Sequence, residues 1–305
     1  DDAAATLRGL SEKIPDLPAR TAAIAVTGQG DGTWLINKNG RPVMPAWLWL
    51  DARAAALVDE LRAAPDDRTR YIETGTGLAA CQQGPQLRWM MRHAPHVLEQ
   101  STTAFHCKDW LYFNLTGERA TDPSEGLFTF GRFADRTYSQ EVIEILGLTE
   151  VQHLIPPMVD GVQTSFPLTS QAAKVSGLTQ GTPIVLGYVD VACTALGAGI
   201  FDSQGAPGVT IVGSTGMHMR FVPDAKSVQF NDDRTGYTMA MPVPGAYAQM
   251  QSNMASTLNI DWILQIASDV LTSQNAGVSR DVLLGQMDQW VREAAPGALI
   301  YQPYI

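Results

Sequence analysis

Asp190 is the residue whose setting in the sequence best fits acid–base chemistry. It follows an apolar run at residues 184–186, which is typical of a strand buried on both faces, and Gly187 ends that run. Ligands of open α/β sheets bind at the carboxyl ends of strands, so a carboxylate at this point could act as a catalytic base. It could instead be the N-cap of a helix that begins at Val191, and taken alone the residue favours the cap.

A second stretch of small and polar residues ends the next predicted strand. It reads Gly213, Ser214, Thr215 and Gly216. Small residues in a turn leave backbone N–H groups and hydroxyls free to meet phosphate oxygens. The same four residues would also make an ordinary hairpin turn, so by themselves they are weak evidence for a phosphate site.

A third polar stretch follows a predicted strand at residues 22–27. Three glycines surround Gln29 and Asp31 in the loop at residues 28–32. Glycines let the backbone approach a ligand closely while the two polar side chains point at it. A loop closed by an Asx turn uses the same residue types, so both interpretations stay open.

Two further strands are predicted at residues 33–36 and 43–50, joined by a hairpin turn. The second is rich in aromatic residues and delivers Asp51 to the start of an alanine-rich helix, where we expect an N-cap first. Arg53 could pair with Asp51 or reach a ligand. Trp49 is a core or wall residue by its type, although an indole also suits the C–H face of a carbohydrate.

The composition indicates a folded protein with a small polar ligand. The 305 residues are 45% hydrophobic, enough for one large core or two moderate ones, and the length favours two domains. The net charge of −10 argues against nucleic acid or an anionic membrane as a partner, because both select clustered Lys and Arg. No run has the length of a membrane span and no signal-peptide pattern opens the sequence, so we expect a cytoplasmic protein.

The cysteines and histidines do not indicate a metal or disulfide site. Cys81, Cys107 and Cys193 are odd in number, far apart and set among apolar or small residues. We therefore expect buried thiols in a reducing compartment. His106 and Lys108 are expected to be structural or surface residues.

Taken together and in this order, the polar stretches resemble those of the FGGY carbohydrate kinases, the group that contains glycerol kinase and xylulokinase. The resemblance covers nearly the whole chain. The segments that carry it are residues 23–32, residues 45–53, the Lys108-Asp-Trp-Leu helix that ends in Leu115-Thr-Gly117, residues 177–183, residues 187–199 and residues 213–216.

The resemblance implies an α/β fold of the actin-like, ribonuclease-H-like ATPase type, in which two α/β domains flank a cleft. Residues 1–187 would form the N-terminal sugar- or polyol-binding domain, without its first strands. Residues 188–305 would form the incomplete start of the C-terminal nucleotide-binding domain. Asp190 would be the general base that takes the proton of the attacking hydroxyl while the γ-phosphoryl group of ATP transfers in line. Mg²⁺ would bridge the phosphates, with Asp190 as an indirect ligand through water.

The resemblance also implies the binding residues. Those for the substrate would be Gln29, Gly30, Asp31, Trp49, Asp51 and Arg53. Those for the phosphates of ATP would be Gly213, Ser214, Thr215 and Gly216.

The substrate loop indicates the class of substrate. Gln29-Gly30-Asp31 looks most like the branch that holds erythritol kinases and L-xylulose kinases. A carboxylate suits polyol hydroxyls, and the small Gly30 would leave room for a substrate longer than glycerol. We therefore expect a small polyol or ketose with four or five carbons.

The chain departs from the family pattern at both ends. The Asp-Gly-Thr phosphate turn expected before residue 1 and the glycine-rich adenine-binding segment expected after residue 305 are not found. Residues 1–305 alone are therefore expected to show little or no kinase activity. A homodimer is expected from the family alone.

Two alternatives to a kinase have to be weighed against these residues. A non-catalytic sugar-binding or regulatory relative would keep the cleft, but it would have no need for Asp190 in its full strand, glycine and aspartate setting. An unrelated α/β hydrolase is disfavoured, because no Gly-x-Ser-x-Gly elbow occurs near residues 213–216.

Overall fold

The computed structural model describes residues 2–201, 208–253, 255–295 and 297–298. Helices and short strands are mixed along these residues, as expected of an α/β protein. The helices are α1 (Asp2–Lys13), α2 (Leu17–Arg20), α3 (Ala55–Ala63), α4 (Asp67–Thr74), α5 (Gln83–His93), α6 (Pro95–Glu99), α7 (Cys107–Thr116), α8 (Pro123–Phe130), α9 (Gln140–Ile145), α10 (Ser170–Ser176), α11 (Asp190–Gly197), α12 (Thr257–Ser273) and α13 (Arg280–Glu293).

The strands are short, and two 3₁₀ turns, Thr149–Leu154 and Ala225–Ser227, lie between them. The strands are β1 (Ile24–Val26), β2 (Trp34–Ile36), β3 (Thr103–Phe105), β4 (Gly131–Arg132), β5 (Thr137–Tyr138), β6 (Phe166–Pro167), β7 (Pro183–Leu186), β8 (Gly208–Val212), β9 (Gly216–Val222), β10 (Tyr237–Ala240) and β11 (Tyr247–Asn253).

The chain divides into two compact units. Unit 1 comprises Asp1–Pro207 and Arg220–Met250, and unit 2 comprises Gly208–Met219 and Gln251–Ile305. This division does not follow the predicted domains, residues 1–187 and 188–305. That domain assignment rests on the family resemblance and stays a prediction.

Unit 1 contains a three-stranded sheet that brings two distant parts of the sequence together. Strands β1 and β7 pair in parallel, with Val26 opposite Leu186, and β6 pairs antiparallel with β7 on its other side. Val26 and Leu186 are buried and pack in one core with residues of α7 and α10. The sequence predicts that β7 is buried on both faces, but Val185 is only half-buried, so one face is partly exposed. Since β1 and β7 run in the same direction, both end at the same sheet edge.

A second pair of strands in unit 1 corrects the predicted hairpin. Strand β2 pairs antiparallel with β3, with Trp34 opposite Phe105. Residues 43–50 form no strand. An isolated bridge joins Trp47 to Thr33, just before β2, and the Val43 N–H donates to the Leu35 carbonyl over 3.0 Å. Pro45 lies within the stretch and has no N–H to donate to a ladder, which explains why the aromatic pattern does not become a strand.

Unit 2 contains β8, the first part of β9 and the helix pair α12 and α13. These two helices pack against each other. None of the helices in the described part of the chain combines the length and the apolar character needed to cross a membrane.

Candidate active site

The loop at residues 28–32 leaves the end of β1 in a conformation that depends on a glycine. Asp31 has φ 57° and Gly32 has φ 79°, both in the left-handed region. A Cβ on Gly32 would overlap the carbonyl oxygen of Trp47 and lie 2.8 Å from a ring carbon of Trp34. The Gly32 N–H donates to the Cys81 carbonyl over 2.8 Å. The loop is therefore fixed against its surroundings, and its shape requires glycine at position 32.

The Asp31 carboxylate has one oxygen that is bonded and one that is not. Its Oδ2 accepts hydrogen bonds from the Tyr237 hydroxyl over 3.2 Å and from the Cys81 thiol over 3.4 Å. Its Oδ1 is buried without a hydrogen-bond partner among the described residues. Burial raises the pKa of Asp31, and the hydrogen bonds from Cys81 and Tyr237 oppose that rise only in part. An unpaired buried acceptor is costly, so Oδ1 is a ready acceptor for a donor such as a substrate hydroxyl.

Asp190 lies at the start of α11, directly beyond the end of β7. Its N–H donates to the Gly28 carbonyl over 2.9 Å, so the Asp190 segment is bonded to the loop that carries Asp31. Its Oδ1 accepts the N–H of Val191 over 2.7 Å, and no described residue is bonded to its other oxygen, Oδ2. Burial raises the pKa of Asp190, opposed by the bond from Val191. Oδ2 is therefore available to accept a proton.

The structure corrects the predicted helix start at this point. Helix α11 begins at Asp190, and the N-cap residue is Val189. Asp190 is the first helical residue, although its carboxylate still accepts a backbone N–H as the cap interpretation required. A negative charge in the first turn also interacts favourably with the helix dipole.

The sequence interpretation assumed that Gly30 leaves open space for a longer substrate. The structure does not show that space. A Cβ built on Gly30 would lie 2.7 Å from Cγ2 of Val189 and 3.0 Å from Oε1 of Glu125. The side of the loop where a side chain would project is thus already filled by the protein. Glycine at position 30 allows the loop to pack against the Asp190 segment.

A network of buried charged side chains lies behind the loop. Lys108 Nζ contacts Asp109 Oδ1 at 2.9 Å and also forms an ion pair with Asp122. His106 Nδ1 lies 3.1 Å from Asp109 Oδ2, and His106 Nε2 lies 3.5 Å from Glu125 Oε2. All five side chains are 2% exposed or less, so the attraction between opposite charges is weakly screened.

Burial and neighbouring charges together shift the pKa of four side chains of the network, Asp109, Lys108, His106 and Glu125. Burial opposes the charge of Asp109, yet Lys108 and His106 lower its pKa to about 2. Burial likewise opposes the charge of Lys108 and His106, but the surrounding carboxylates raise the pKa of both. For Glu125 burial is the larger effect and raises the pKa to about 7, with nearby Asp31 acting in the same direction.

Asp51 and Arg53 form an ion pair with each other, and their predicted role in binding substrate stays a prediction. The Arg53 N–H donates to Asp51 Oδ1 over 3.0 Å, and Arg53 Nη2 contacts Asp51 Oδ2 at 2.6 Å. The Arg53 guanidinium also stacks on the ring of Trp47 at 3.8 Å. Helix α3 begins only at Ala55, with Ala54 as its N-cap residue, so the predicted N-cap role of Asp51 is wrong. No hydrogen bond among the described residues joins this pair to Asp31 or Asp190.

The remaining predicted substrate residues lie close to the loop. Trp49 is half-buried, and the backbone just before it packs on the loop, since a Cβ on Gly32 would lie 3.3 Å from Cα of Leu48. The Gln29 side chain is also half-buried and has no hydrogen bond to any described residue. Both roles stay predictions.

The stretch from Gly213 to Gly216 connects β8 to β9 and belongs to unit 2. The Gly213 and Ser214 carbonyls accept the N–H groups of Thr257 and Ser256 over 3.0 and 2.8 Å, at the start of α12. The hydroxyls of Ser214 and Thr215 have no hydrogen-bond partner among the described residues, so they are free to meet an anion. The stretch is thus a hairpin turn, and its role in binding phosphate stays a prediction.

No group of three or more potential metal ligands occurs among the described residues. Asp190 Oδ2 is a single free carboxylate oxygen, which fits a Mg²⁺ ion held mainly by water and by phosphate oxygens and not a metal site made by the protein alone.

Comparison with known proteins agrees with this geometry. The family described as "FGGY family of carbohydrate kinases, N-terminal domain" matches residues 4–197, which include the loop at residues 28–32, the buried charge network and Asp190. The chain belongs to the FGGY family of carbohydrate kinases. The resemblance seen in the sequence is therefore confirmed.

Relatives of this FGGY chain include sugar and polyol kinases. An erythritol kinase from Brucella abortus (strain 2308) is 52% identical over 304 residues, which are 100% of this chain and 58% of that protein. An L-xylulose/3-keto-L-gulonate kinase from Escherichia coli (strain K12) is 31% identical over 180 residues, 59% of this chain and 36% of that protein. The chain thus spans little more than half the length of its similar relative from Brucella.

Solved structures of the family show the same fold. A xylulose kinase from Rhodospirillum rubrum matches with a TM-score of 0.81 and 26% identity, over 97% of this chain and 58% of that one. A kinase from Brucella ovis matches with a TM-score of 0.77 and 22% identity, over 98% and 57% of the two chains. The predicted fold class, α/β of the actin-like and ribonuclease-H-like type, is confirmed.

Sequence reasoning missed four residues of this FGGY site. The sequence does not predict a part for Glu125, Asp122, Cys81 or Tyr237. Cys81 and Tyr237 are bonded to Asp31, and Glu125 and Asp122 belong to the charge network. In the sequence, Asp122 and Glu125 alternate with small residues at the start of an apolar segment. This was a usable indication, because such carboxylates are rarely buried without partners.

Proposed function

We propose that this protein is an ATP-dependent kinase that phosphorylates a hydroxyl of a small polyol, with erythritol as the first candidate. The observation that carries the proposal is the unpaired, buried Asp31 Oδ1, on a loop bonded directly to the Asp190 segment. That arrangement offers a hydroxyl acceptor beside a carboxylate that can take a proton. The 52% identity to an erythritol kinase supports a four-carbon polyol over a ketose.

The proposed reaction uses two carboxylates in different roles. Asp31 Oδ1 accepts a hydrogen bond from one substrate hydroxyl and so orients the chain of the polyol. Asp190 Oδ2 accepts the proton of the hydroxyl that is phosphorylated. The hydroxyl oxygen forms a bond to the γ-phosphorus as the bond from that phosphorus to the β-phosphate oxygen breaks, which leaves ADP and a phosphate monoester. Burial favours this role, because the raised pKa of Asp190 makes it a stronger base.

The nucleotide is assigned to the residues that the family resemblance implies. Gly213, Ser214, Thr215 and Gly216 would contact the transferring phosphate, the two hydroxyls being free to donate. Bound Mg²⁺ would neutralise charge on the phosphates, and Asp190 would hold it through water. The two-domain arrangement, a cytoplasmic location and a homodimer remain expectations from the family.

The test is a measurement of ATP consumption by the full-length protein with glycerol, erythritol, the pentitols, D- and L-xylulose and ribulose. We expect the highest kcat/KM with erythritol, and we expect Asp31→Asn to raise KM about tenfold or more, because the lost charge weakens the bond to a substrate hydroxyl. Binding of one polyol without turnover of any would instead support the non-catalytic relative. Preference for a ketose would overturn the choice of substrate.

A further inference from the structure

Neighbouring residues in the first turn of α8 contact the segment that carries Asp190 and the loop that carries Asp31. Asp122 precedes the helix, and its Oδ2 accepts the Ser124 N–H over 2.7 Å and also the Ser124 hydroxyl. The other oxygen of Asp122 is paired with Lys108. The turn is therefore anchored on the buried charge network before it reaches the site.

Ser124 holds the segment that leads into α11. Its Oγ donates to Asp122 and accepts the N–H of Val189 over 2.9 Å. Val189 directly precedes Asp190, and its own side chain packs beside Gly30. Because Ser124 is fully buried, water cannot replace its hydroxyl as an acceptor for Val189.

Glu125, the next residue, holds the substrate loop instead. Its Oε2 accepts the N–H of Asp31 in a long bond of 3.4 Å and lies 3.5 Å from His106 Nε2. Its Oε1 is buried without a hydrogen-bond partner among the described residues and stands beside Gly30. Asp31 has a left-handed backbone, a conformation that costs free energy for a residue other than glycine and needs support from its surroundings.

We propose that Ser124 and Glu125 are positioning residues with separate tasks, Ser124 setting the place of the base Asp190 and Glu125 setting the place of the substrate carboxylate Asp31. This inference rests on the proposed function, since it assigns supporting roles around that site. Ser124 acts through the Val189 N–H that it accepts, and Glu125 acts through the Asp31 N–H that it accepts.

The two tasks predict that each variant changes a different kinetic constant of the full-length protein. Ser124→Ala leaves the Val189 N–H without an acceptor and frees Asp190 to shift, so kcat should fall roughly tenfold to a hundredfold while KM for erythritol stays within about threefold. Glu125→Ala releases the Asp31 N–H, so KM should rise about tenfold while kcat stays within about threefold.

Conservative variants and a control on the same helix separate positioning from general damage. Ser124→Thr keeps a hydroxyl and should recover most of kcat. Glu125→Gln keeps an oxygen that can accept from Asp31 and should recover much of the affinity. Thr129→Val alters another buried polar residue of α8 whose Oγ1 has no partner among the described residues, and it should change neither constant.

A second measurement does not depend on turnover. Amide hydrogen exchange in the full-length protein should speed up at Val189 and Asp190 in Ser124→Ala and at residues 28–32 in Glu125→Ala, with each variant leaving the other segment unchanged. Both variants affecting both segments equally, or neither segment, would overturn the inference. A wild-type protein without ATP-dependent turnover would overturn the proposed function, and the exchange pattern would still decide the roles of Ser124 and Glu125.

Discussion

The backbone N–H of Asp190 donates a hydrogen bond to the carbonyl oxygen of Gly28 over 2.9 Å. These residues are far apart in the sequence and meet because β1 and β7 pair in parallel and end at one sheet edge. The proposed base and the substrate loop therefore share one backbone contact. Loss of that one contact is expected to release both segments.

Removal of the buried cation behind the loop should destabilise the protein strongly. Lys108→Met leaves Asp109 and Asp122 buried without their cation, and breaking a buried ion pair in this way costs about 3–5 kcal/mol. The free energy of unfolding from urea titration measures this loss. Lys174→Met on the exposed face of α10 is the matched control and should change stability by less than about 0.5 kcal/mol. Equal effects of the two variants would show that Lys108 is not the centre of the network.

Stability should fall as the pH rises through neutrality, and Glu125 should be one cause. Its folded-state pKa is raised to about 7, so folding favours its protonated form. That contribution is fully present below the pKa of an unfolded glutamate and is lost as the pH rises through about 7. His106, whose pKa is also raised, acts in the same direction. Melting temperatures between pH 5 and pH 8 should therefore fall less in Glu125→Gln than in the wild type, and an unchanged slope would contradict the assignment.

Gly117 and Gly32 have nearly the same φ, so an alanine substitution at each position distinguishes backbone strain from steric overlap. Gly117 has φ 80° and open space where a Cβ would lie, whereas Gly32 has φ 79° and is enclosed by Trp47 and Trp34. Gly117→Ala should cost about 1–2 kcal/mol from backbone conformation alone, and Gly32→Ala roughly 2–4 kcal/mol because of the added overlap. Denaturant titration measures the free energy of unfolding of both variants. Equal losses would mean that the loop at residues 28–32 shifts to accept the new Cβ without further cost.

Gly30→Ala tests the conclusion that this glycine serves packing and not substrate length. The new Cβ would meet Val189 and Glu125, so the loop must shift. We expect KM to rise by a similar factor, about tenfold, for glycerol, erythritol and the pentitols. Selective loss of the longer polyols would instead restore the idea that Gly30 provides room for them.

Some of the site could be predicted from the sequence because local patterns determined it. The apolar run before Gly187 predicts the strand, and the small residues around Asp31 predict the loop. That these two segments lie at one sheet edge follows only from the parallel pairing of β1 and β7 in the structure. The stretch at residues 43–50 was misassigned because its aromatic residues suit a strand, while Pro45 removes a backbone donor and tertiary packing decides the outcome.

The supporting residues could not be predicted in the same way. Glu125 and Tyr237 reach Asp31 from parts of the chain that are distant in sequence, and neither lies in a pattern that specifies a partner. The space beside Gly30 was misjudged for the same reason, since Val189 and Glu125 fill it only once the fold is formed.

The most direct test of the account is the turnover of the full-length protein carrying Asp190→Asn. The asparagine oxygen can still accept the Val191 N–H, so the start of α11 should be preserved while the proton acceptor is lost. We predict that kcat with ATP and erythritol falls by about a hundredfold to ten-thousandfold while calorimetry shows erythritol binding within about threefold of the wild type. Turnover close to that of the wild type would contradict the account and leave Asp190 as a residue that only stabilises the start of its helix.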